Sequence, residues 1–158
     1  MSIEDFKALM DGFDPASLLP NLDSTLDKLL PIARIAVMVG PVAMLIMGLV
    51  YLFLSPKEAN YYLGYRCYYG MGSVEAWQFT QRLAGIVWGA LGLVMSIVML
   101  VISSGFGQLE TMALLWRAVY CAAAEGILAL AAWIGVNATV TARFDKRGDL
   151  RKKEPRKK

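Results

Sequence analysis

The residues IAVMVGPVAMLIMGLVYLFL, Ile35–Leu54, decide the fold of this chain. They form an uncharged run of 20 residues, and a helix of that length matches the hydrocarbon thickness of a bilayer. The whole chain has 158 residues, of which 57% are hydrophobic. This fraction is far above that of an ordinary soluble domain. We therefore expect an all-α integral membrane protein.

Three apolar blocks predict three transmembrane helices in a membrane domain of residues 31–142. The predicted spans are residues 31–54, 83–103 and 112–140. Each is long enough to cross a bilayer, the third with some tilt. Gly40-Pro41 predicts a bend in the first span, because proline removes a backbone donor and clashes with the preceding turn.

The second span carries a stripe of small residues, Gly85, Gly89 and Gly92. In lipid, helices gain little from hydrophobic burial, and close approach of their backbones along such a stripe favours association. We interpret the stripe as a helix-packing surface and not as a cofactor site. The sequence does not decide whether such surfaces also join copies of the chain into a homo-oligomer.

The two ends of the chain carry opposite charge. Residues 1–30 hold six acids and two lysines, with short amphipathic patterns broken by prolines. They predict a segment on the membrane surface, against a neighbouring subunit, or without fixed structure; no cleaved signal peptide is expected, because no basic start precedes a short apolar core. Residues 143–158 hold nine basic residues and three acids. This basic tail either only sets the orientation or also binds anionic lipid headgroups.

The distribution of basic residues predicts the orientation. The tail has nine, the loop of residues 55–82 has three, and the connection of residues 103–111 has none. Basic residues in short flanks stay in the cytoplasm. We therefore expect an extracytoplasmic N-terminus, with the 55–82 loop and the C-terminus in the cytoplasm.

The loop between the first two spans is not a simple polar spacer. Asn60–Arg82 holds five of the seven tyrosines, three glycines, a tryptophan and two arginines. Glycine permits tight turns, and Tyr, Trp and Arg are enriched in binding sites and at membrane interfaces. We expect Asn60–Trp77, named the cap below, to form an ordered cytoplasmic structure rich in Gly, Tyr and Trp.

Within the cap we expect Ser73 to be the N-cap of the second helix. Trp77, one turn later, is interpreted as an interfacial anchor or, alternatively, as a ligand contact. The cap glycines should let the chain fold back and bring Tyr65 and Arg66 towards Trp77. Arg66 then either stacks on an aromatic ring and binds a phosphate or carboxylate, or is only a charge that reaches lipid headgroups.

These residues resemble the SdpI family of small bacterial membrane proteins. The resemblance rests on an Asn ahead of Gly-Tyr-Arg, followed by a Gly/Ser turn, a Ser, a Trp, a polar residue and a glycine. The matching positions are Asn60, Gly64, Tyr65, Arg66, Ser73, Trp77, Gln81 and Gly85. Two departures are Cys67, where the family usually has Thr, and the absence of the proline common after that Thr.

The resemblance implies a role in binding or sensing a peptide or another ligand at a bacterial plasma membrane. The best-known type in the family confers immunity to a secreted toxic peptide and takes part in signalling its presence. A peptide ligand or a regulatory membrane protein is the partner that this implies. Arg82, at the end of the loop, is included with the candidate motif residues.

Two charged residues interrupt the third span, Arg117 and Glu125. Glu125 lies about halfway along it, where a carboxylate is expensive and normally faces the bundle interior. Eight residues of helix separate the two groups by about 12 Å, so a direct pair is strained. Glu125 either makes a structural hydrogen bond or has a binding or proton-sensitive role, and the latter would suit a subunit of a small channel or transporter.

The sequence does not predict an enzyme. It contains no histidine, which removes the commonest general base and metal ligand. Cys67 and Cys121 fit no metal-ligand spacing and are expected to be free thiols. No cofactor or metal is predicted, and the short tail, with no folded reader of bases, makes nucleic acid a poor partner.

Overall fold

The computed structural model describes residues 22–59 and 62–151, with side chains from Lys28 onward. Three long helices make up most of this part of the chain: α1, Leu22–Leu49; α2, Val74–Ser104; and α3, Thr111–Arg143. All three are long and apolar enough to cross a membrane, over Lys28–Leu54, Val74–Gln108 and Thr111–Arg143. The predicted all-α fold with three membrane-crossing helices is confirmed.

The first helix differs from the prediction at its start, while its helical structure ends at Leu54 as predicted. It begins at Leu22, well before the predicted start at Pro31, and Pro31 lies inside it. At its other end α1 continues into a π-helical turn, Val50–Leu54. Part of the predicted acidic segment, residues 22–30, is therefore helical and continuous with the first span, while residues 1–21 lie outside the described residues.

Glycines let α1 and α2 approach each other closely. A Cβ added to Gly48 would overlap the backbone of Gly89, and one added to Gly92 would lie 2.7 Å from Leu45 Cα. A Cβ on Gly85 would lie 2.9 Å from Leu52 Cδ2. The stripe on α2 thus faces α1, and its partner on α1 is Gly48, which the sequence analysis did not single out.

The apolar core has two clusters, one toward each end of the bundle. The first includes Val37, Met99 and Phe106, near the 3-10 turn Gly105–Gln108 that joins α2 to α3. There Arg34 Nε donates to the Ser103 carbonyl oxygen over 3.1 Å. The second cluster lies beneath the cap, at the opposite end; it contains Tyr65, Ala76, Ala84, Val136, Val140 and Phe144.

The beginning of the basic tail is a small hairpin and not only a charged extension. Phe144 and Leu150 form an antiparallel bridge, and the Arg151 amide donates to the Arg143 carbonyl over 3.0 Å. Asp145 Oδ1 accepts the amides of Arg147 and Asp149 at 2.8 and 2.9 Å. These two bonds, together with the Gly148 amide, hold the pKa of the Asp145 carboxyl below its usual value. Residues 152–158 lie outside the described residues.

Candidate functional site

Ser73 joins three parts of the chain at the start of α2. Its hydroxyl accepts the Ala76 amide at 3.1 Å, so Ser73 is the N-cap that the sequence predicts. The same hydroxyl donates to the Gly148 carbonyl oxygen at 2.8 Å. The hydrogen bonds of Ser73 therefore hold the cap, α2 and the C-terminal hairpin together.

Gln81 holds the Gly-Tyr-Arg segment through its side-chain amide. Its Oε1 accepts the Tyr65 amide, and its Nε2 donates to the Tyr65 carbonyl oxygen, both over 2.7 Å. Both bonds are buried, and Gln81 is only 3% exposed. A buried polar group without a partner costs about 1–3 kcal/mol. This pair of bonds supplies a partner to both the amide and the carbonyl of Tyr65, which lies outside any helix or sheet.

Gly64 packs against the edge of the Trp77 ring. Its φ of 118° favours glycine, and a Cβ there would lie 2.7 Å from Trp77 Cζ2. Trp77 is fully buried, and its Nε1 donates to the Pro56 carbonyl oxygen at 2.8 Å. Protein atoms thus enclose the Trp77 side chain in the described structure, where it supports the fold of the cap. The two roles expected from the sequence, interfacial anchor and ligand contact, stay predictions.

The Tyr65 side chain links the cap to α1 and α3. Its ring packs edge-on against Tyr51, with centroids 5.7 Å apart. Its hydroxyl oxygen accepts from Asn137 Nδ2 at 2.8 Å, and the hydroxyl donates to the Trp133 carbonyl oxygen at 3.4 Å. Burial, reinforced by the nearby Cys67, raises the pKa of Tyr65 to about 12, although the Asn137 hydrogen bond opposes the shift.

Cys67 lies in a small polar niche of the cap. Burial raises the pKa of its thiol, while the Gly70 amide, the Thr80 hydroxyl and the Tyr69 amide lower it. Thr80 is fully buried, and a Cβ on Gly70 would lie 2.8 Å from Cys67 Sγ.

Arg66 lies next to this buried framework, but its side chain is exposed. Gly64, two residues before Arg66, packs against the edge of the Trp77 ring. Among the described residues, the expected stacking of Arg66 on an aromatic ring is not found. The guanidinium groups stacked on rings in the described chain are those of Arg143, 4.3 Å from Phe79, and Arg151, 5.8 Å from Tyr69.

A groove of about 540 Å³ lies beside Arg66. The end of α1 and the start of its π-helical turn form one wall, with Met47, Val50 and Tyr51. Leu63 and the Gly64-Tyr65-Arg66 segment form the other. The groove therefore combines apolar side chains with one exposed guanidinium on a fixed backbone.

Other predicted site residues lie apart from this groove. Arg82 is exposed and lines a neighbouring depression with Pro56 and Lys57. Asn60 lies outside the described residues. Arg117 is exposed and lies toward the other end of the bundle. Among residues 22–59 and 62–151, no cluster of His, Cys, Asp or Glu could hold a metal ion.

Glu125 is buried in the bundle, 8% exposed, and faces α1. A Cβ on Gly40 would overlap its Oε2, so the absence of a side chain at Gly40 makes room for the carboxyl group. In the described structure, its Oε1 is buried without a hydrogen-bond partner. The geometry brings Glu125 to the Gly40-Pro41 step and not to the cap.

The hairpin and Asn137 are the parts of the site that the sequence reasoning missed. Phe144 is fully buried beside Phe79, with ring centroids 5.5 Å apart. Gly148 has φ of 81° and packs on the backbone of Gly72. Two signals were present: Gly148 lies in a turn-forming sequence flanked by Phe144 and Leu150, and Asn137 is a polar residue in an apolar span.

These features define a helical membrane protein in which a Gly-Tyr-Arg segment is folded back onto a Ser/Trp/Gln helix start. The model of the SdpI/YfhL protein family matches residues 57–137, half of the chain, and the chain belongs to this family. The family is one of membrane proteins and is not known for enzymes. No curated protein and no solved structure matched the chain in the corresponding comparisons.

Proposed function

We propose that this protein is a membrane receptor of the immunity or signalling type, which binds the anionic group of a peptide ligand at Arg66. The observation that carries the proposal is the exposed guanidinium of Arg66 directly after Tyr65, whose backbone amide and carbonyl are both hydrogen-bonded by Gln81. The bacterial plasma membrane is the location that this role implies, and a regulatory membrane protein could present the same group.

The chemistry of Arg66 suits a carboxylate. A guanidinium donates two parallel hydrogen bonds to a carboxylate or phosphate, and its planar shape makes the pairing directional. Gln81 bonds the Tyr65 backbone and Trp77 packs against Gly64, so the two residues before Arg66 are held before any ligand arrives. Little ordering of the backbone is then required on binding, which favours affinity.

The groove adds a reason to favour a peptide. Met47, Val50 and Leu63 offer apolar contact next to the guanidinium. A peptide that ends in apolar residues and a free carboxylate matches this combination of surfaces. Recognition of a terminal carboxylate together with apolar side chains is a recurring mode of peptide binding.

The test is survival of bacteria challenged with the toxic peptide against which the family's best-known type gives immunity. Arg66→Lys keeps the charge but loses the planar fork, so we expect protection to fall at least tenfold. Arg82→Lys is the matched control, because Arg82 is also exposed but lies outside the groove. Full protection by Arg66→Lys would mean that Arg66 only contributes a positive charge to the orientation of the protein, and it would overturn the proposal.

A second candidate function is that of a channel or transporter subunit, and Glu125 is the observation that favours it. A buried carboxyl oxygen without a partner inside a membrane bundle is a feature of ion and proton pathways. This function predicts a solute or ion flux in proteoliposomes that Glu125→Gln abolishes. A flux that is the same with Glu125→Gln, or absent from the wild type, would exclude it.

A further inference from the structure

A second groove opens between the ends of α2 and α3 that are farthest from the cap. Its volume is about 940 Å³, and most of its surface is apolar. Its α2 wall runs from Met95 to Gly105, the C-cap residue of α2, which is about 15 Å along the helix. Half the hydrocarbon thickness of a bilayer is also about 15 Å. The α2 wall of the groove is therefore about as long as one leaflet is thick.

Arg117 is the charged residue of this groove. It lies six residues after the start of α3, about 9 Å along the helix. Its side chain is exposed, and within the described residues no carboxylate forms an ion pair with it. An arginine inside a membrane span normally has an anionic or polar partner, or reaches the interface. Here the open side of the groove leaves room for an anionic partner that is not part of the protein.

Two aromatic rings lie close to Arg117 along α3. Trp116 and Tyr120 stack with centroids 5.9 Å apart, and both line the groove. Trp and Tyr prefer the headgroup level of a bilayer, where one edge is apolar and the other is wet. The ring pair and the guanidinium therefore mark where the apolar groove should meet lipid headgroups.

We propose that this groove is a binding site for one anionic phospholipid, with its phosphate at Arg117 and an acyl chain between α2 and α3. Charge complementarity selects an anionic lipid over a zwitterionic one, since a net negative headgroup neutralises Arg117. The site is at the opposite end of the bundle from Arg66, so it is independent of the proposed peptide site. It is also distinct from the basic tail.

The test is native mass spectrometry of the full chain released from micelles that contain equal amounts of phosphatidylglycerol and phosphatidylcholine. We expect the wild type to retain one phosphatidylglycerol at least fivefold more often than phosphatidylcholine. Arg117→Gln should remove this preference. Arg147→Gln is the control, since it makes the same charge change on the exposed hairpin and should keep the preference.

A second variant separates the groove from the charge. Ala124 lines the groove and is exposed, so Ala124→Trp should fill it while Arg117 remains. We expect this variant to lose the retained lipid and to keep the helical circular dichroism of the wild type. The proposal is overturned if Arg117→Gln retains phosphatidylglycerol as the wild type does, or if it and Arg147→Gln lose it equally. Retention in Ala124→Trp would also overturn it.

Discussion

At the scale of single residues, the fit between α1 and α2 depends on which glycine is replaced. Gly48 is buried against the Gly89 backbone, and a Cβ on Gly48 would overlap Gly89. A Cβ on Gly89 would lie 3.8 Å from Gly48 Cα, an ordinary contact. The two glycines face each other, but only one of them has no room for a side chain.

We therefore expect Gly48→Ala to lower the free energy of unfolding by about 1–3 kcal/mol, the usual cost of overpacking. Gly89→Ala is the matched variant and should change it by less than about 0.5 kcal/mol, as ordinary substitutions away from tight contacts do. Thermal or denaturant unfolding in detergent, followed by circular dichroism, measures both. Equal effects of the two variants would contradict this packing.

Gln81 supports a second prediction at this scale. Gln81→Leu keeps an apolar side chain of similar length but leaves the Tyr65 amide and carbonyl unpaired in a buried place. Two lost partners at about 1–3 kcal/mol each predict a destabilisation of about 2–6 kcal/mol. Gln78→Leu, on the exposed side of the same helix, is the control. Unfolding of Gln81→Leu at the wild-type temperature would show that the reciprocal pair is not formed.

Tyr65 predicts how stability depends on alkaline pH. Its pKa in the folded protein is about 12, above the ordinary value near 10, because burial disfavours the phenolate. The stabilising contribution is therefore complete below pH 10 and is lost as the pH rises towards 12. The phenolate can be followed by absorbance at 295 nm. The difference between the titration curves of the wild type and Tyr65→Phe should show no phenolate from Tyr65 below about pH 11. A step near pH 10 would mean that Tyr65 is solvated.

At the scale of elements, the C-terminal hairpin packs against the cap and the first turns of α2. Phe144 is buried beside Phe79, Arg143 lies over the Phe79 ring, and Ser73 bonds to Gly148. The nine basic residues of the tail predict an orientation but contain no information about such contacts. Whether the tail only sets the orientation or forms a folded element is decided by its contacts with the start of α2.

A pair of truncations tests the role of the hairpin. Ending the chain at Arg151 keeps every hairpin contact described here, so its melting temperature should match the wild type. Ending it at Arg143 removes Phe144 and the bond to Ser73, and should cost at least the roughly 3–5 kcal/mol of a buried Phe→Ala change. Phe144→Ala alone should show most of this loss. An undiminished melting temperature for the shorter chain would mean that the cap is stable without the hairpin.

At the scale of the whole molecule, the cap and the hairpin lie at one end of the bundle, because Ser73 and Gly148 are in contact. This agrees with a topology in which the 55–82 loop and the tail share one side of the membrane. The contact does not select which side, and the basic residues of the tail and loop predict the cytoplasm. The orientation stays a prediction.

Cysteine labelling tests the orientation, and the structure shows which positions are exposed enough to label. Cys67 is a poor reporter because its thiol is half-buried and hydrogen-bonded. In a Cys67→Ser, Cys121→Ala background, the exposed Lys57 and Gln108 are better positions. An impermeant maleimide added to intact cells should label Gln108→Cys and not Lys57→Cys. The reverse pattern would invert the topology.

The sequence by itself determined the class of fold, because apolar runs of bilayer length have one stable solution in lipid, a helix whose backbone is internally bonded. It also determined the motif and the N-cap at Ser73, since both depend on residue types at short spacing. The same local information could not place Trp77, Arg66 or the hairpin. The burial of Trp77, the exposure of Arg66 and the docking of the hairpin depend on three contacts, Gly64 with Trp77, Tyr65 with Gln81, and Ser73 with Gly148. These contacts join residues 13 to 75 positions apart. Only the tertiary structure decides them, because they arise from packing between segments and not from any local propensity.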